Sequence, residues 1–325
     1  MCPPHASEPQ QAPLPIIDLS DGARAAALMR DAAASHGFFY IVNHGVDSTL
    51  VQRQFEQSRA FFALPEAEKN KVEANEQARG YTSSTYQTVD PKSTVPDALE
   101  GFWAWIPEVQ PGEPGSELPY KGLNIWPDAD LVPGFRETLT EYMVATEKLS
   151  RRVIKLVAQA LDLPEDYFEP FFRHAQNQLR TMHYLKGKSE PENGKFGAGQ
   201  HTDWGFITFL VDDGTPGLQL NYTGEWEDVK PVPNSFIVNF GDMLNEWSNG
   251  KFKSTKHRVV KPEKERYSCA LFVAPSPDAR IECLPTCVNG GAKYEPLLAS
   301  QYLESKYKQL ADSKKALADG TLKPI

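Results

Sequence analysis

The sequence predicts a mainly β protein with flanking helices. Short runs of aromatic and β-branched residues recur along the chain, separated by segments rich in proline, glycine and asparagine. Residues 133–161 carry apolar side chains at steps of three or four, the spacing of an amphipathic helix that packs on a core. A chain of 325 residues can form one large β-barrel domain or two small ones.

The N-terminal part predicts an arm followed by alternating helices and strands. Residues 1–12 are proline-rich and lack the apolar run of a signal peptide, so we expect a flexible arm. An alanine-rich helix is predicted over 22–36, and an aromatic, β-branched strand over 38–42. Residues 49–64 place apolar side chains on one face and predict a second helix.

The middle of the chain alternates between loops and strands. Residues 74–100 are polar and predict either a loop over a pocket or a simple surface connection. Residues 102–106 alternate in side-chain type and predict a strand, and the proline- and glycine-rich residues 107–120 predict a loop. A further strand is predicted over 178–185, after the long helix.

The C-terminal part predicts turns and a last helix. Residues 241–243 are interpreted as a turn between strands. A Lys- and Glu-rich helix is predicted from about residue 295 onward, with an apolar stripe formed by Leu298, Tyr302 and Leu310.

Composition excludes several classes of function. The net charge is −9, which argues against nucleic acid as a partner because phosphate contacts require Lys and Arg. An apolar run of 18 residues is absent, so a membrane span is not expected. The four cysteines do not form a disulfide or zinc pattern, which favours reduced thiols in the cytoplasm. The oligomeric state stays open.

The pair His201 and Asp203 is the centre of the functional prediction. Side chains at positions i and i+2 of a strand point the same way, so one imidazole and one carboxylate can bind one metal ion. His257, from a distant strand, can complete three ligands on one face. Two histidines and one carboxylate with open positions opposite are typical of non-haem Fe(II) oxygenases.

Two other interpretations of this pair stay open on the residues alone. Most isolated His-x-Asp pairs are ordinary surface residues. Zinc also takes His and carboxylate ligands, but a zinc hydrolase would usually need a general base, and an H-E-x-x-H helix is absent.

Arg266 and Ser268 predict a binding site for a carboxylate. They share one face of a predicted buried strand over 267–274, and a guanidinium can hold a carboxylate through two parallel hydrogen bonds. The hydroxyl of Ser268 can add a third. The alternative is an edge-strand arginine paired with a local glutamate.

Taken together, these segments resemble one enzyme family. The motifs HTD with its flanks, GLQL, NFGDMLNEWSNGKFKSTKHRVV and RYS are similar to those of 2-oxoglutarate- and Fe(II)-dependent dioxygenases of the isopenicillin N synthase-like group, over roughly residues 13–310. The resemblance implies a double-stranded β-helix (jelly-roll or cupin-like) barrel backed by the long helix. It implies an N-terminal α/β region at 13–130 and a catalytic core with a C-terminal helix at 131–325, in one integrated unit.

The resemblance also implies cofactors and site residues. The iron ligands would be the two histidines and the aspartate named above, and O2 would react at the iron. Arg266 and Ser268 would hold the distal carboxylate of 2-oxoglutarate, and Tyr184 matches a tyrosine that touches it. Met182 departs from the family pattern, since plant members often carry asparagine there.

Substrate contacts are a further expectation. If Tyr184 faces the pocket, Arg180 does too, and a buried arginine needs an anionic or carbonyl partner. We therefore expect Arg180 to orient the substrate, with a structural ion pair as the alternative. Trp204 and Phe272 are candidate aromatic contacts. These residues favour a small, planar, oxygenated metabolite, and the family favours secondary metabolism.

The reaction is expected to be hydroxylation or a related oxidation such as desaturation, ring expansion or methyl oxidation. Two alternatives share the scaffold. One is an oxidase of the isopenicillin N synthase type that uses no 2-oxoglutarate. The other is a catalytically silent protein that binds small molecules.

Overall fold

Two facing β-sheets enclose an apolar interior, and helices cover the outer face of the larger sheet. The computed structural model describes residues 14–85, 88–90, 93, 95–113, 116, 117 and 121–318. The predicted arm at 1–12 lies outside these residues. This architecture confirms the prediction of a mainly β fold with flanking helices, built as a helix-backed barrel of two sheets.

The helices occupy the N-terminal half, the back of the barrel and the C-terminal end. Within the described ranges, no helix is both long and apolar enough to cross a membrane. The α-helices are α1 (Gly22–Ser35), α2 (Ser48–Phe62), α3 (Glu66–Lys69), α4 (Phe135–Ala160), α5 (Asp242–Trp247) and α6 (Ala299–Ala318).

The strands are short, as the sequence predicted. They are β1 (Ile16–Asp18), β2 (Phe38–Val42), β3 (Gly80–Thr82), β4 (Leu99–Ile106), β5 (Gln176–Tyr184), β6 (Ala198–His201), β7 (Ile207–Asp212), β8 (Leu218–Asn221), β9 (Glu227–Asp228), β10 (Phe236–Phe240), β11 (Lys256–Val259), β12 (Arg266–Ala274), β13 (Arg280–Ile281) and β14 (Leu297–Leu298).

The strand order places β12 in the middle of the larger sheet. That sheet runs β1-β2-β10-β7-β12-β5-β4-β3, and the smaller sheet runs β6-β11-β8-β9. β12 pairs antiparallel with β5 on one side and with β7 on the other. Arg266 therefore lies on a central strand, which excludes the edge-strand interpretation.

The pairing register of β5 with β12 shows which side chains lie next to one another on the interior face of the larger sheet. Arg266 lies opposite Tyr184, and Ser268 lies opposite Met182. Further along the same strand pair, Phe272 lies opposite Gln178. Because side chains alternate between faces of a strand, these positions all belong to one face.

The long helix α4 packs on the outside of the larger sheet. Its buried side chains recur at three- to four-residue steps and join the helices α1 and α2 in one outer core. The predicted helix over 133–161 is confirmed, with bounds Phe135–Ala160. Burial of this face holds the sheet in place, since apolar burial is the main favourable term in folding.

A polar network is buried between the larger sheet and the N-terminal helices. Oε2 of Glu100 accepts hydrogen bonds from Nζ of Lys69 and from the hydroxyl of Tyr81, both at 2.6 Å. Nδ1 of His183 lies 2.8 Å from Oε1 of Glu100. The His183 ring also stacks on Tyr267 with 4.5 Å between centroids. His183 is therefore a packed residue of the outer face, as predicted.

Three local expectations differ from the structure. The predicted turn at 241–243 is wrong, because Asp242 begins α5. The predicted loop at 74–100 contains strand β3 and the first residues of β4. In the C-terminal stripe, Leu298 lies in β14 and is 37% exposed, whereas Leu303 is buried. Tyr302 faces the core as predicted, and the side chain of Leu310 lies outside the described part.

Candidate functional site

The predicted metal ligands converge at one end of the barrel. His201 ends β6 and lies directly opposite His257 of β11 in the smaller sheet. Oδ1 of Asp203 lies 3.9 Å from Nε2 of His201 and 3.6 Å from Nε2 of His257. One ligand atom from each residue lies within 4.8 Å of the other two. In the described ranges this is the one cluster of three His, Cys, Asp or Glu side chains with that spacing.

Hydrogen bonds turn both imidazoles toward the cluster. Nδ1 of His201 lies 2.8 Å from the carbonyl oxygen of Gly199, and Nδ1 of His257 lies 3.1 Å from that of Thr255. A carbonyl oxygen can only accept, so the proton is on Nδ1 and Nε2 carries the free lone pair. This is the usual way in which a second hydrogen bond fixes the tautomer of a metal-binding histidine.

The carboxylate of Asp203 is fixed in the same way. Its Oδ2 accepts hydrogen bonds from Oγ1 of Thr208 at 2.6 Å and from Nδ2 of Asn239 at 2.7 Å. Oδ1 is left to face the imidazoles. Sequence reasoning missed Thr208 and Asn239, because their contact with Asp203 depends on the pairing of β7 with β10.

The electrostatics favour the protonation states that a metal ion needs. Burial lowers the pKa of His201 to about 4, and the neighbouring His257 adds to this effect. Burial raises the pKa of Asp203, but the two imidazoles and the bonds from Asn239 and Thr208 outweigh it, so this pKa lies below its usual value. At neutral pH the site therefore offers a neutral imidazole at His201 and a negative carboxylate.

Arg266 and Ser268 lie deeper in the barrel and are almost fully buried. Nε of Arg266 donates to the carbonyl oxygen of Thr215 at 3.0 Å, and Nη2 lies 3.8 Å from Oδ2 of Asp212. Nη1 of Arg266 and Oγ of Ser268 are buried without a hydrogen-bond partner among the described residues. Buried polar atoms are rarely left in this state, and these two donors are of the kind that bind a carboxylate.

Tyr184 lies beside this pair. The guanidinium carbon of Arg266 is 4.8 Å from the centre of the Tyr184 ring. The Tyr184 hydroxyl donates to the sulfur of Met182 at 3.4 Å. A thioether is only a weak acceptor, so this hydroxyl has bonding capacity left for an oxygen of a bound acid.

Arg180 faces the interior, as predicted, and forms a stack with two aromatic residues. Its guanidinium carbon lies 4.5 Å from the centre of the Trp103 ring, and Trp103 lies 5.8 Å from Phe272 at an angle of 31°. The indole Nε1 of Trp103 is buried and has no hydrogen-bond partner in the described structure. Sequence reasoning gave Trp103 no role, although the alternation in β4 placed it on the face opposite Phe102.

Trp204 lies at the edge of this interior. Its ring packs against the outer core and meets Tyr307 of α6 edge to face, with 5.4 Å between centroids. The hydroxyl of Tyr307 accepts a hydrogen bond from Nε2 of Gln178 at 2.7 Å. Helix α6 thus reaches the interior row that contains Phe272.

Two protein-family models match this chain. Residues 14–129 match the family described as non-haem dioxygenase in morphine synthesis N-terminal, and residues 176–275 match the 2OG-Fe(II) oxygenase superfamily. Kihadalactone A synthase LFS of Citrus sinensis is 38% identical over 310 residues, covering 92% of each chain. The 2-oxoglutarate-Fe(II) type oxidoreductase hxnY of Emericella nidulans is 36% identical over 321 residues, covering 91% of this chain and 89% of its own.

Solved structures agree with these relatives. A full-length Neurospora crassa protein in complex with alpha-KG superimposes with a TM-score of 0.81 at 30% identity, covering 91% of this chain and 96% of its own. The same protein with alpha-KG and thymine gives 0.80 at 29% identity and the same coverage. JOX2 in complex with 2OG, Fe and JA gives 0.76 at 32% identity, covering 90% and 85%.

This chain belongs to the 2-oxoglutarate- and Fe(II)-dependent oxygenase family. It is a dioxygenase with the double-stranded β-helix fold that uses Fe(II), 2-oxoglutarate and O2, which confirms the enzyme class and the cofactors predicted from the motifs. The relatives named above argue against the three alternatives. These were a zinc hydrolase, a catalytically silent binding protein and an oxidase that does not use 2-oxoglutarate.

Proposed function

We propose that His201, Asp203 and His257 hold Fe(II), and that Arg266 and Ser268 hold the distal carboxylate of 2-oxoglutarate. The enzyme then oxidises a small metabolite that binds beside the metal. The Nε2 atoms and Oδ1 that face one another support the metal assignment, since two histidines and one carboxylate suit Fe(II) with positions left open.

The observation that carries the co-substrate assignment is the pair of unsatisfied atoms, Nη1 of Arg266 and Oγ of Ser268. A buried donor without a partner costs about 1–3 kcal/mol. A carboxylate placed between the two residues would accept from both and remove that cost. Tyr184 can add a third contact through its hydroxyl, so we include it in the co-substrate site.

With both cofactors bound, oxidative decarboxylation of 2-oxoglutarate supplies the oxidant for a C–H bond. The chain itself binds and orients 2-oxoglutarate and the metabolite, and it excludes water from them. Apolar residues of both sheets form the barrel interior, among them Leu220 and Val259 of the smaller sheet and Ala270 of the larger. Low dielectric there strengthens the interaction of Arg266 with a carboxylate. Hydroxylation is the default outcome, with desaturation, ring expansion and methyl oxidation as variants.

We propose a planar, oxygen-bearing metabolite as the substrate, bound by Arg180, Trp103 and Phe272. The Nε1 of Trp103 lacks an acceptor, and a carbonyl or carboxylate oxygen of the substrate would provide one. The aromatic rings offer flat surfaces on which a planar molecule can stack. Thymine, bound in the Neurospora crassa structure, is a planar compound with carbonyl oxygens, which agrees with this class. Trp204 stays a predicted contact at the edge of the site.

The proposal also covers the domain organisation and the cellular location. The N-terminal region 13–130 and the catalytic core 131–325 act as one unit, because the outer core contains residues of both. The enzyme works in the cytoplasm, where the unpaired thiols of Cys269, Cys283 and Cys287 stay reduced.

An anaerobic titration tests the cofactor assignments. Fe(II) and then 2-oxoglutarate are added to metal-free protein while the visible spectrum is recorded. Chelation of the iron by the keto acid should give a weak charge-transfer band, which the variants H257A and D203A should lack. If wild-type protein binds iron without giving the band, the clamp assignment fails, and if it binds no iron, the metal site fails.

A further inference from the structure

The carboxylate of Asp242 joins three separate parts of the site. Its Oδ2 accepts a hydrogen bond from the hydroxyl of Tyr302 in α6 at 2.8 Å and from Oγ1 of Thr202 at 3.2 Å. Its Oδ1 accepts from Oγ of Ser254 at 2.6 Å. Nζ of Lys306, one turn after Tyr302 on α6, lies 3.6 Å from Oδ2.

Each of these contacts joins Asp242 either to a segment that carries a proposed metal ligand or to helix α6. Thr202 separates His201 from Asp203, and Ser254 lies three residues before His257. The backbone N–H of Asp242 also donates to the carbonyl oxygen of Asp203 at 2.8 Å. One carboxylate therefore touches the segments that carry all three proposed ligands, without being a ligand.

The backbone leaves little room for movement at this point. A Cβ atom on Gly241 would lie 2.2 Å from the carbonyl oxygen of Gly205 and 3.1 Å from that of Asp203. The chain before α5 is thus in direct contact with the chain after the metal-binding motif. The close approach fixes the distance between the two segments. The side chain of Asp242 fixes their position relative to α6.

Helix α6 contacts the substrate side through its next turn. Tyr307 follows Tyr302 by five residues and meets Trp204 and Gln178, as described above. The N-terminal end of α6 is anchored separately, since the N–H groups of Ala299 and Ser300 donate to carbonyl oxygens of residues 279 and 277. Asp242 ties the first two turns of α6, through Tyr302 and Lys306, to the metal-binding segment.

We propose that Asp242 is a positioning residue that couples the docking of α6 to the geometry of the metal-binding segment 201–203. The proposal rests on the proposed metal site. It implies that loosening the Asp242–Tyr302 contact disturbs the metal cluster, although Tyr302 touches none of the three ligands. Outer partners that orient metal ligands typically contribute 10- to 100-fold to metal affinity.

The test compares D242N and Y302F with a matched control, Y222F. The hydroxyl of Tyr222 also donates to a carboxylate, that of Glu227 at 2.6 Å, but outside this cluster. We expect D242N to weaken Fe(II) binding about tenfold or more, Y302F to weaken it less, and Y222F to leave it unchanged. Fe(II) affinity is measured anaerobically by competition with a chelator.

Hydrogen exchange of the full-length, iron-free protein gives an independent readout. D242N and Y302F should both speed exchange in residues 299–309 and in 201–204 together. Faster exchange in α6 alone, with unchanged exchange in 201–204 and unchanged Fe(II) affinity, would show that Asp242 only anchors the helix and would overturn the proposal. Because Y302F keeps the carboxylate, it decides the question even if D242N unfolds.

A double-mutant cycle completes the test. If Asp242 and Tyr302 act through one contact, the combined variant should weaken Fe(II) binding by less than the product of the two single effects. Strictly multiplicative effects would contradict the coupling. Failure of wild-type protein to bind Fe(II) would instead refute the proposed metal site, and the exchange measurement without iron would still test the coupling.

Discussion

Arg266 and Tyr184 face each other across the β5–β12 pair, with the guanidinium carbon 4.8 Å from the centre of the phenol ring. This contact places the cation over an aromatic face, while Nε of Arg266 donates to the carbonyl oxygen of Thr215. The ring also covers the cation, which is 1% exposed. The charge is therefore little screened by water. Nη2 lies 3.8 Å from Oδ2 of Asp212, whereas Nη1 has no hydrogen-bond partner among the described residues.

Replacing this cation should affect the co-substrate and leave the metal in place. R266A should raise the KM for 2-oxoglutarate about 30-fold or more, because loss of a buried charged partner costs about 2–5 kcal/mol. Fe(II) affinity should stay within about twofold in the absence of 2-oxoglutarate. Steady-state kinetics and anaerobic iron titration measure the two quantities. R30A, at the exposed Arg30–Asp162 pair, is the control and should change neither. An unchanged KM in R266A would remove the clamp assignment.

The hydrogen bonds to Oδ2 of Asp203 should matter for iron. N239A should weaken Fe(II) binding about 10- to 100-fold, since it frees the carboxylate to rotate away from the imidazoles. T208V should act in the same direction. Asn124, a buried asparagine that bonds the backbone of β4, supplies the control N124A. This control should lower stability but keep iron affinity, and equal losses in N239A and N124A would mean a general folding defect.

The indole N–H of Trp103 should strengthen the binding of a carbonyl-bearing substrate. W103F keeps an aromatic ring but removes Nε1, so it should raise KM for a carbonyl-bearing substrate about five- to tenfold, in line with one hydrogen bond. R180A should keep uncoupled 2-oxoglutarate turnover and lose most product. Both are measured as product formed per 2-oxoglutarate consumed, with the first substrate found by oxygen-uptake screening of planar carbonyl compounds. Normal product yield in R180A would assign Arg180 a structural role.

The Glu100 network should make stability depend on acid pH. Burial raises the pKa of Glu100, but His183, Lys69 and Tyr81 outweigh it and hold this pKa below its usual value. The stabilisation is therefore complete above the unfolded pKa of about 4.5 and is lost as pH falls through the lower folded value.

E100Q should lower the free energy of unfolding by about 3 kcal/mol at neutral pH. The difference from wild type should shrink below about pH 4.5. Denaturant titrations across the pH range measure it. The control E141Q removes an exposed pair with Arg53 and should change stability by less than about 1 kcal/mol. A constant difference at all pH values would exclude the network as its cause.

Several parts of the site could be predicted from sequence because they follow from local periodicity. His201 and Asp203 lie two residues apart, as do Arg266 and Ser268, so one strand rule places each pair on one face. To complete the predicted metal site and carboxylate clamp, the sequence had to supply only His257 and the family motifs in addition. The interior orientation of Arg180 follows in the same way from its spacing from Tyr184, while its role toward the substrate stays a prediction.

The remaining features depend on register between distant strands, which local patterns do not contain. Trp103 meets Arg180 because β4 pairs with β5 in one particular register. Asn239 reaches Asp203 through the β7–β10 pair, and Asp242 meets Tyr302 across 60 residues. The expected turn at 241–243 became a helix because residues 242–247 bury their apolar side chains against the barrel end.

If the proposed substrate and 2-oxoglutarate sites are correct, their places along β12 predict the order in which the two molecules bind. Arg266 and Ser268 begin the strand deep in the barrel, whereas Phe272 lies further along, at the end that α6 reaches through Tyr307 and Gln178. A molecule stacked on Phe272 would stand in the path to the clamp. 2-Oxoglutarate should therefore enter first, and a large excess of the metabolite should slow the enzyme when 2-oxoglutarate is scarce. Steady-state kinetics would show this as substrate inhibition that added 2-oxoglutarate relieves.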